Sequence, residues 1–276
     1  MELFADKREK GVLDMVDFLV FKQGIVVKLE DERVASEMKG NIWRFMECGT
    51  TPILADFFPI FDGIDIQGQK KKAKRCLDNL FKIWEGIIKE RREEHHCNES
   101  DVKKYGDFLD LMLANGFSDD QINYMLLEIF PAGTGTLTST IEWALAELLR
   151  NKDVMKKFFS ELQNGINSNP IKESTIFQLS YLNACIKEVL RLHPPIAFLP
   201  HYASQDFEFL PFGAGRRMCP GLSFATKEVH LIFACLVYHF EWSLPNNGDP
   251  LMLDMNEKYA VPLQREKLLL LVPTRK

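Results

Sequence analysis

The residues most suited to chemistry in this chain surround one cysteine, Cys219, which lies between a glycine-rich stretch and a predicted helix. Residues 212–221 read Phe-Gly-Ala-Gly-Arg-Arg-Met-Cys-Pro-Gly. Three glycines allow the backbone to turn sharply and to approach a flat ligand closely. Apolar residues then recur at helical spacing and predict a helix over residues 222–242, with Pro220 suited to its first turn. The dipole of that helix favours a thiolate at Cys219, and a thiolate can bind a metal ion.

The spacing around this cysteine forms a motif. Five residues complete the pattern Phe-x-x-Gly-x-Arg-x-Cys-x-Gly, namely Phe212, Gly215, Arg217, Cys219 and Gly221. A thiolate on such a loop is a good ligand for haem iron, whereas a lone cysteine is more often a buried thiol that packs as a small apolar side chain. The pattern resembles the haem-thiolate signature of the cytochrome P-450 family.

This resemblance implies that the cofactor is haem (iron protoporphyrin IX) and that Cys219 is the metal ligand. Phe212 and Gly213 would then pack beside the sulfur. Arg217 would face a haem propionate, as would His201, although a surface histidine is the alternative there. The cofactor-binding residues implied by the resemblance are Phe212, Gly213, Arg217, Cys219, Gly221 and His201.

A second stretch that could do chemistry lies inside a long apolar pattern. Residues 118–121, Ser-Asp-Asp-Gln, predict a capping box, and apolar residues continue at helical spacing to Leu149. Between them, residues 131–140 hold one proline, two glycines and five hydroxyl residues, which are poor helix formers. We expect the helix to bend or open there and to leave carbonyl groups free for water or a ligand; a loop that joins two helices is the alternative.

Residues 132–137 resemble the oxygen-pocket helix of the same family, which carries Ala/Gly-Gly-x-Asp/Glu-Thr-Thr. Ala132, Gly133 and Thr136 match this motif, and the resemblance implies that they are catalytic, with Thr136 orienting a water molecule. Gly135 stands where the family has an acid, and Leu137 replaces the second threonine. Because that acid takes part in proton delivery, the resemblance also implies a departure from the family's usual proton relay.

The predicted helix over residues 174–193 carries Glu188 and Arg191 on one face. An exposed ion pair is the simpler interpretation. With Leu-His-Pro-Pro following at residues 192–195, the pair resembles the family's Glu-x-x-Arg motif, which is buried behind the haem. The family's third partner, an arginine between this motif and the cysteine loop, has no counterpart here, so we expect lowered stability if the pair is buried.

The spacing of the motifs predicts that part of the family fold is missing. Only 27 residues separate Arg191 from Cys219, and the family has a longer stretch there. We expect an internal deletion near residues 204–207 and the absence of the family's N-terminal half with its membrane anchor. Residues 1–276 would then form a single truncated domain, mainly α with a small β portion, as a partial cytochrome P-450 fold.

Composition excludes several classes of protein. The net charge of −5 argues against a nucleic-acid partner, and the six cysteines form no Cys-x-x-Cys pair, which argues against zinc and dithiol sites. His95, His96 and Cys97 lie in an acidic stretch that indicates an exposed loop rather than a metal site. No signal peptide or spanning helix is expected.

Further helices are predicted over residues 30–47 and 69–95, and terminal strands at Leu263 and residues 268–272.

Residues 55–59 and 142–149 resemble the corresponding segments of plant microsomal cytochromes P-450. Together with the cysteine motif, this resemblance implies a monooxygenase. One oxygen atom of O2 would enter a small apolar metabolite of the alkaloid or terpenoid class. Electrons would come from NADPH through cytochrome P-450 reductase, at the cytosolic face of the endoplasmic reticulum. The basic start of the helix predicted over residues 69–95 is a solvated face or contacts an acidic membrane surface. The alternatives are a haem-thiolate isomerase or dehydratase, an inactive truncated product, and a helical interaction protein without a cofactor.

Overall fold

A computed structural model of the protein describes residues 32–61, 63–96, 108–166, 171–197 and 210–276. These residues are mainly helical with two small antiparallel sheets, as predicted. The helices are α1 Glu32–Thr50, α2 Leu54–Phe57, α3 Gln69–His96, α4 Phe108–Ala114, α5 Asp119–Arg150, α6 Lys152–Gly165, α7 Glu173–Ile176, α8 Ser180–Leu192 and α9 Leu222–His239. The strands are β1 Phe240–Ser243, β2 Glu257–Lys258, β3 Gln264–Arg265 and β4 Val272–Arg275. Every helix within the described ranges is too short or too polar to span a lipid bilayer.

The chain divides into two compact units, and residues 28–132 form one of them. Its core contains Trp84, which stacks on Phe130 with ring centroids 5.9 Å apart. The predicted helices over residues 30–47 and 69–95 are confirmed as α1 and α3. Ile87 of α3 faces away from this core, since its side chain is 42% exposed. The buried core residues of this unit are Ile42, Leu80, Trp84, Ile88, Met112 and Ile122.

The other unit contains residues 133–276 and the cysteine motif. Its core is built by the later part of α5 together with α6, α8 and α9, with β1 at the end of α9. Phe158 of α6 and Phe233 of α9 are fully buried and stack with their centroids 5.1 Å apart. Helix α9 is therefore a central element of the unit, and the cysteine loop lies immediately before it.

Two secondary-structure predictions in this unit are wrong in detail. The helix predicted over residues 174–193 is divided into α7 and α8, because the Glu161 carboxylate of α6 accepts hydrogen bonds from the backbone N–H groups of Tyr181 and Leu182 and so caps a new helix start. The strand predicted over residues 268–272 is displaced to β4, where Pro273 pairs with Trp242 of β1. Proline is tolerated there because, among the described residues, β1 and β4 pair with each other alone and each is an edge strand.

Candidate functional site

The loop that precedes α9 is closed by a backbone hydrogen bond and shaped by glycine. The N–H of Cys219 donates to the carbonyl oxygen of Phe212 over 2.9 Å. Gly213 and Gly215 have φ angles of 73° and 70°, which strongly favour glycine. Gly221 is the N-cap of α9, so Pro220 lies outside the helix, and the prediction that it occupies the first turn is wrong.

The thiol of this loop is not buried in an apolar core. Cys219 is half-buried, as is Cys185, whereas three other described cysteines are buried, namely Cys48, Cys76 and Cys235. A Cβ atom placed on Gly221 would lie 3.7 Å from the Cys219 sulfur. The side chain of Arg217 is exposed beside the loop, and Phe212 is half-buried. The loop therefore presents an accessible thiol with a guanidinium two residues away.

Residues 131–140 are helical throughout, since α5 continues through Pro131 to Arg150. The alternative of a loop that joins two helices is wrong, and the expected opening is not seen. The hydroxyl groups instead donate to the preceding turn, from Thr138 Oγ1 to the carbonyl of Thr134 over 2.8 Å and from Thr140 Oγ1 to that of Thr136 over 2.9 Å. These bonds occupy carbonyl groups that a helix defect would have left for a ligand.

The sequence-predicted site residues lie on two elements. Phe212, Gly213, Arg217, Cys219 and Gly221 are together in the loop before α9. Gly133 and Thr136 are half-buried in α5, and Ala132 is exposed in the same helix. His201, Cys97 and residues 204–207 lie outside the described residues. No cluster of three or more metal-ligating side chains occurs within the ranges that the structure describes.

The Glu188–Arg191 pair is exposed. Arg191 Nε and Nη2 donate to the two carboxylate oxygens of Glu188, each over 2.7 Å, and the side chains are 58% and 55% exposed. The hydrogen bonds from Arg191 lower the pKa of the Glu188 carboxyl. The buried pair implied by the resemblance is therefore wrong for this chain, and the simpler interpretation is correct. The expected loss of stability from a buried, incomplete triad loses its basis.

Sequence reasoning missed a polar cluster around His193. The imidazole stacks on Trp143 with ring centroids 3.8 Å apart and an interplanar angle of 4°. Its Nε2 lies 2.9 Å from Glu147 Oε1, and its Nδ1 lies 3.0 Å from Glu257 Oε1. Arg265 lies 5.0 Å from the Trp143 ring centroid. The Leu-His-Pro-Pro sequence was a signal for the histidine, but nothing local indicated its partners.

Two cavities among the described residues lie elsewhere. One of about 480 Å³ lies between the end of α1 and the start of α3, where Met46, Cys48 and Ala73 line it. Another of about 380 Å³ lies at the junction of α5 and α6, beside Asp249. Neither includes Cys219 or Thr136 in its lining.

The cysteine motif has its counterpart in known proteins. A family model described as cytochrome P450 matches residues 8–209 and 204–272. The chain belongs to the cytochrome P450 family. (S)-N-methylcoclaurine 3'-hydroxylase isozyme 1 of Papaver somniferum is 37% identical over 307 residues, which are 92% of this chain and 63% of that protein. The (S)-N-methylcoclaurine 3'-hydroxylase isozyme 1 of Eschscholzia californica is 32% identical over 99% of this chain and 71% of that protein. Corytuberine synthase of Coptis japonica is 32% identical over 96% of this chain and 69% of that protein.

The chain thus spans less than two thirds of the first of these cytochrome P450 relatives. The alignment to that relative runs over 307 residues and the alignment to the Eschscholzia protein over 349, although the chain itself has 276. The relatives therefore carry residues within the aligned region that this chain lacks. The two stretches matched by the family model meet at residues 204–209.

Cytochrome P450 proteins carry haem on a cysteine thiolate, and the loop before α9 fits such a group. The thiol sulfur of Cys219, a soft donor, is half-exposed rather than enclosed by protein atoms. A Cβ atom on Gly215 would meet no atom of the described residues within 4 Å, apart from its chain neighbours, so the loop leaves room beside it. The exposed guanidinium groups of Arg216 and Arg217 can pair with carboxylates. These residues match what a porphyrin with two propionates requires on its thiolate side.

Proposed function

We propose that the chain acts as a haem-thiolate monooxygenase, with the thiolate of Cys219 as the iron ligand. The observation that supports this most is the half-exposed sulfur on a loop closed by the Cys219–Phe212 hydrogen bond, at the start of α9. When bound, haem would supply the activation of dioxygen, by which one oxygen atom enters the substrate and the other leaves as water.

The protein's own residues would hold the cofactor and order the distal side. Phe212 and Gly213 would pack beside the sulfur, while Arg217 and His201 would bind propionates. Ala132 and Gly133 would line the oxygen side of α5, and Thr136 would orient a water through its hydroxyl group. We propose a small apolar plant metabolite of the alkaloid or terpenoid class as substrate, because two of the relatives named above hydroxylate N-methylcoclaurine according to their names. Electrons would come from NADPH through cytochrome P450 reductase.

A carbon-monoxide difference spectrum of the reduced, haem-loaded chain tests this proposal. We expect a Soret band of the thiolate type, and we expect Cys219→Ser to abolish it. Cys185→Ser is the matched control, since Cys185 is the other half-buried thiol among the described residues and should leave the band unchanged. A parent spectrum without the thiolate-type band would refute the proposal and favour an inactive product.

A second candidate is a haem-thiolate isomerase or dehydratase, which needs no oxygen activation. Gly135 favours it, because the acid that the family uses in proton delivery is missing. Oxygen consumption in the presence of reductase, NADPH and a panel of alkaloids and terpenoids separates the two. Product formation without oxygen uptake would support the second candidate.

We propose further that residues 1–276 represent a single cytochrome P450 domain from which an internal segment near residues 204–207 is missing. The overlap of the two matched stretches at residues 204–209 supports this, as do alignments longer than the chain. Sequencing of transcripts across this region tests it. Transcripts that all encode a longer stretch there would favour an error in the sequence, and transcripts of both lengths would favour splicing.

We also propose that the protein lies against the cytosolic face of the endoplasmic reticulum membrane. The segment between α1 and α3 carries large apolar side chains that are exposed, namely Leu54, Phe57, Phe58, Ile60, Ile64 and Ile66. Exposed basic residues follow at the start of α3, namely Lys70, Lys71, Lys72, Lys74 and Arg75. Apolar anchors beside basic residues favour an anionic lipid surface.

Flotation with vesicles of phosphatidylcholine and phosphatidylserine tests the membrane proposal. Ile60→Ser should weaken binding, because Ile60 is 82% exposed within this segment. Met252→Ser is the matched control, with the same 82% exposure in the other unit, and should bind as the parent does. Equal binding by both variants would contradict the assignment of this surface.

A further inference from the structure

Position 135 of α5 packs against a proline near the end of the chain. Gly135 is buried, and a Cβ atom built on it would lie 3.0 Å from Cδ and 3.1 Å from Cγ of Pro262. At Gly133, two residues earlier in the same helix, such a Cβ would meet no atom of the described residues within 4 Å beyond its chain neighbours and the backbone of its own helix. We propose that Pro262 occupies the space of a side chain at position 135 and thereby excludes an acid from the place where the family carries one.

A side chain at position 135 would fit if Pro262 moved away by a few tenths of an ångström. The surrounding hydrogen bonds oppose that movement. The next residue, Leu263, is held by hydrogen bonds at both its N–H and its carbonyl group. Its N–H donates to the carbonyl of Pro195 over 2.7 Å, and its carbonyl accepts a hydrogen bond from Ser139 Oγ of α5 over 2.5 Å. The Leu263 side chain is also buried. Pro262 is therefore anchored, and a side chain at 135 cannot be accommodated by a small local movement.

A second anchor fixes the same segment further along α5. The N–H of Leu269 donates to the Glu142 carboxylate over 2.8 Å, seven residues after Gly135 in the helix. The C-terminal segment from Pro262 to Leu269 is therefore attached to α5 by side-chain groups of Ser139 and Glu142 as well as by the contact at Gly135. Displacement of Pro262 would strain or break these bonds.

This inference deepens the proposed function, and its chemical meaning rests on that function. Aspartate or glutamate at 135 would bring a carboxylate to a buried position as well as a Cβ against Pro262. The chain thus lacks both the family's acid and the room for it. Thr136 would have to orient water without a carboxylate from the preceding residue, and a single Gly135→Asp substitution does not restore the family's arrangement.

The contact itself is tested by thermal unfolding of the full chain without haem, in a double-mutant cycle. Gly133→Ala should unfold at or above the parent temperature, because alanine favours a helix wherever its methyl group has space. Gly135→Ala should unfold below it. In a Pro262→Ala background, which lacks Cγ and Cδ, the loss caused by Gly135→Ala should fall to less than half.

Equal losses in the two backgrounds would overturn the proposal, as would a Gly135→Ala variant no less stable than Gly133→Ala. If Gly135→Ala fails to fold, a folded Gly135→Ala/Pro262→Ala double variant supports the proposal, and an unfolded double variant refutes it. These outcomes do not depend on haem, so they stand apart from the carbon-monoxide spectrum that tests the proposed function.

A spectroscopic comparison tests the chemical consequence in the haem-loaded chain. The Gly135→Asp/Pro262→Ala variant should show a pH-dependent rate of autoxidation of the reduced protein that Pro262→Ala alone lacks, because a carboxylic acid then stands beside Thr136. Gly135→Asp alone should lose the thiolate-type spectrum or unfold. Should Gly135→Asp alone fold and titrate as the double variant does, Pro262 is not what excludes the acid.

Discussion

Replacement of His193 by alanine is expected to destabilise the unit formed by residues 133–276. The imidazole side chain is 11% exposed and brings together α5, the end of α8 and β2 through Glu147 and Glu257. It also covers one face of the Trp143 indole. Alanine would remove both carboxylate contacts and the stacked ring at once. Glu147, whose side chain is 23% exposed, would lose its hydrogen bond to the imidazole.

The expected loss follows from these exposures. A hydrogen bond to a charged group contributes about 1.5–3 kcal/mol, and the Glu147 contact is sheltered enough to approach that range. The Glu257 contact contributes less, because that side chain is 40% exposed and its charge is screened by water. Stacking on Trp143 adds about 0.5–1.5 kcal/mol. We expect a total of about 3 kcal/mol, which corresponds to a fall of about 6–12 °C in the unfolding temperature of a domain of this size.

Circular dichroism melts of the chain without haem measure this effect, and three variants divide it. His193→Phe retains a ring over Trp143 and should recover only the stacking part. Glu147→Gln should cost more than Glu257→Gln, since Glu147 is the less exposed of the two. A His193→Ala variant that melts within about 1 °C of the parent would refute the reasoning, and so would the reverse order of the two glutamine variants.

Burial and the nearby Glu161 raise the pKa of the Cys185 thiol to about 11. At pH 8, iodoacetamide should therefore modify Cys219 before Cys185, and haem loading should protect Cys219. Peptide mass spectrometry measures both rates of modification, and a Cys219 rate that haem does not change would count against ligation. Burial, aided by the charge of Lys187, lowers the pKa of His230. The unfolded chain then binds this proton more readily, so stability present above about pH 6.5 declines as the pH falls below it. His230→Gln should flatten this decline in urea midpoints, and an unchanged slope would contradict it. Ser118→Ala removes the acceptor for the Gln121 N–H and should cost about 1 kcal/mol in the same assay; no change would show that this cap contributes nothing.

Local sequence was sufficient for features whose partners lie within one or two turns. The capping box is confirmed, since Gln121 N–H donates to Ser118 Oγ and Ser118 N–H to Gln121 Oε1. The helices α1, α3 and α9 follow from apolar periodicity, and the glycines of the cysteine loop follow from the sharp turns that it makes. The family was also identifiable from the ten residues around Cys219.

Features that depend on distant partners were decided by the tertiary structure alone. Glu161 divides one predicted helix into α7 and α8 from about twenty residues away. Helix α5 continues through a stretch of poor helix formers, with hydroxyl groups bonded to carbonyls of the preceding turn, and the Glu188–Arg191 pair is left in solvent. In the sequence, Gly135 shows only that the family's acid is absent. In the fold, Pro262 occupies the space beside Gly135 that a side chain would need. Periodicity and turn preferences act over a few residues, whereas burial, exposure and steric exclusion depend on which remote segment packs against a given face.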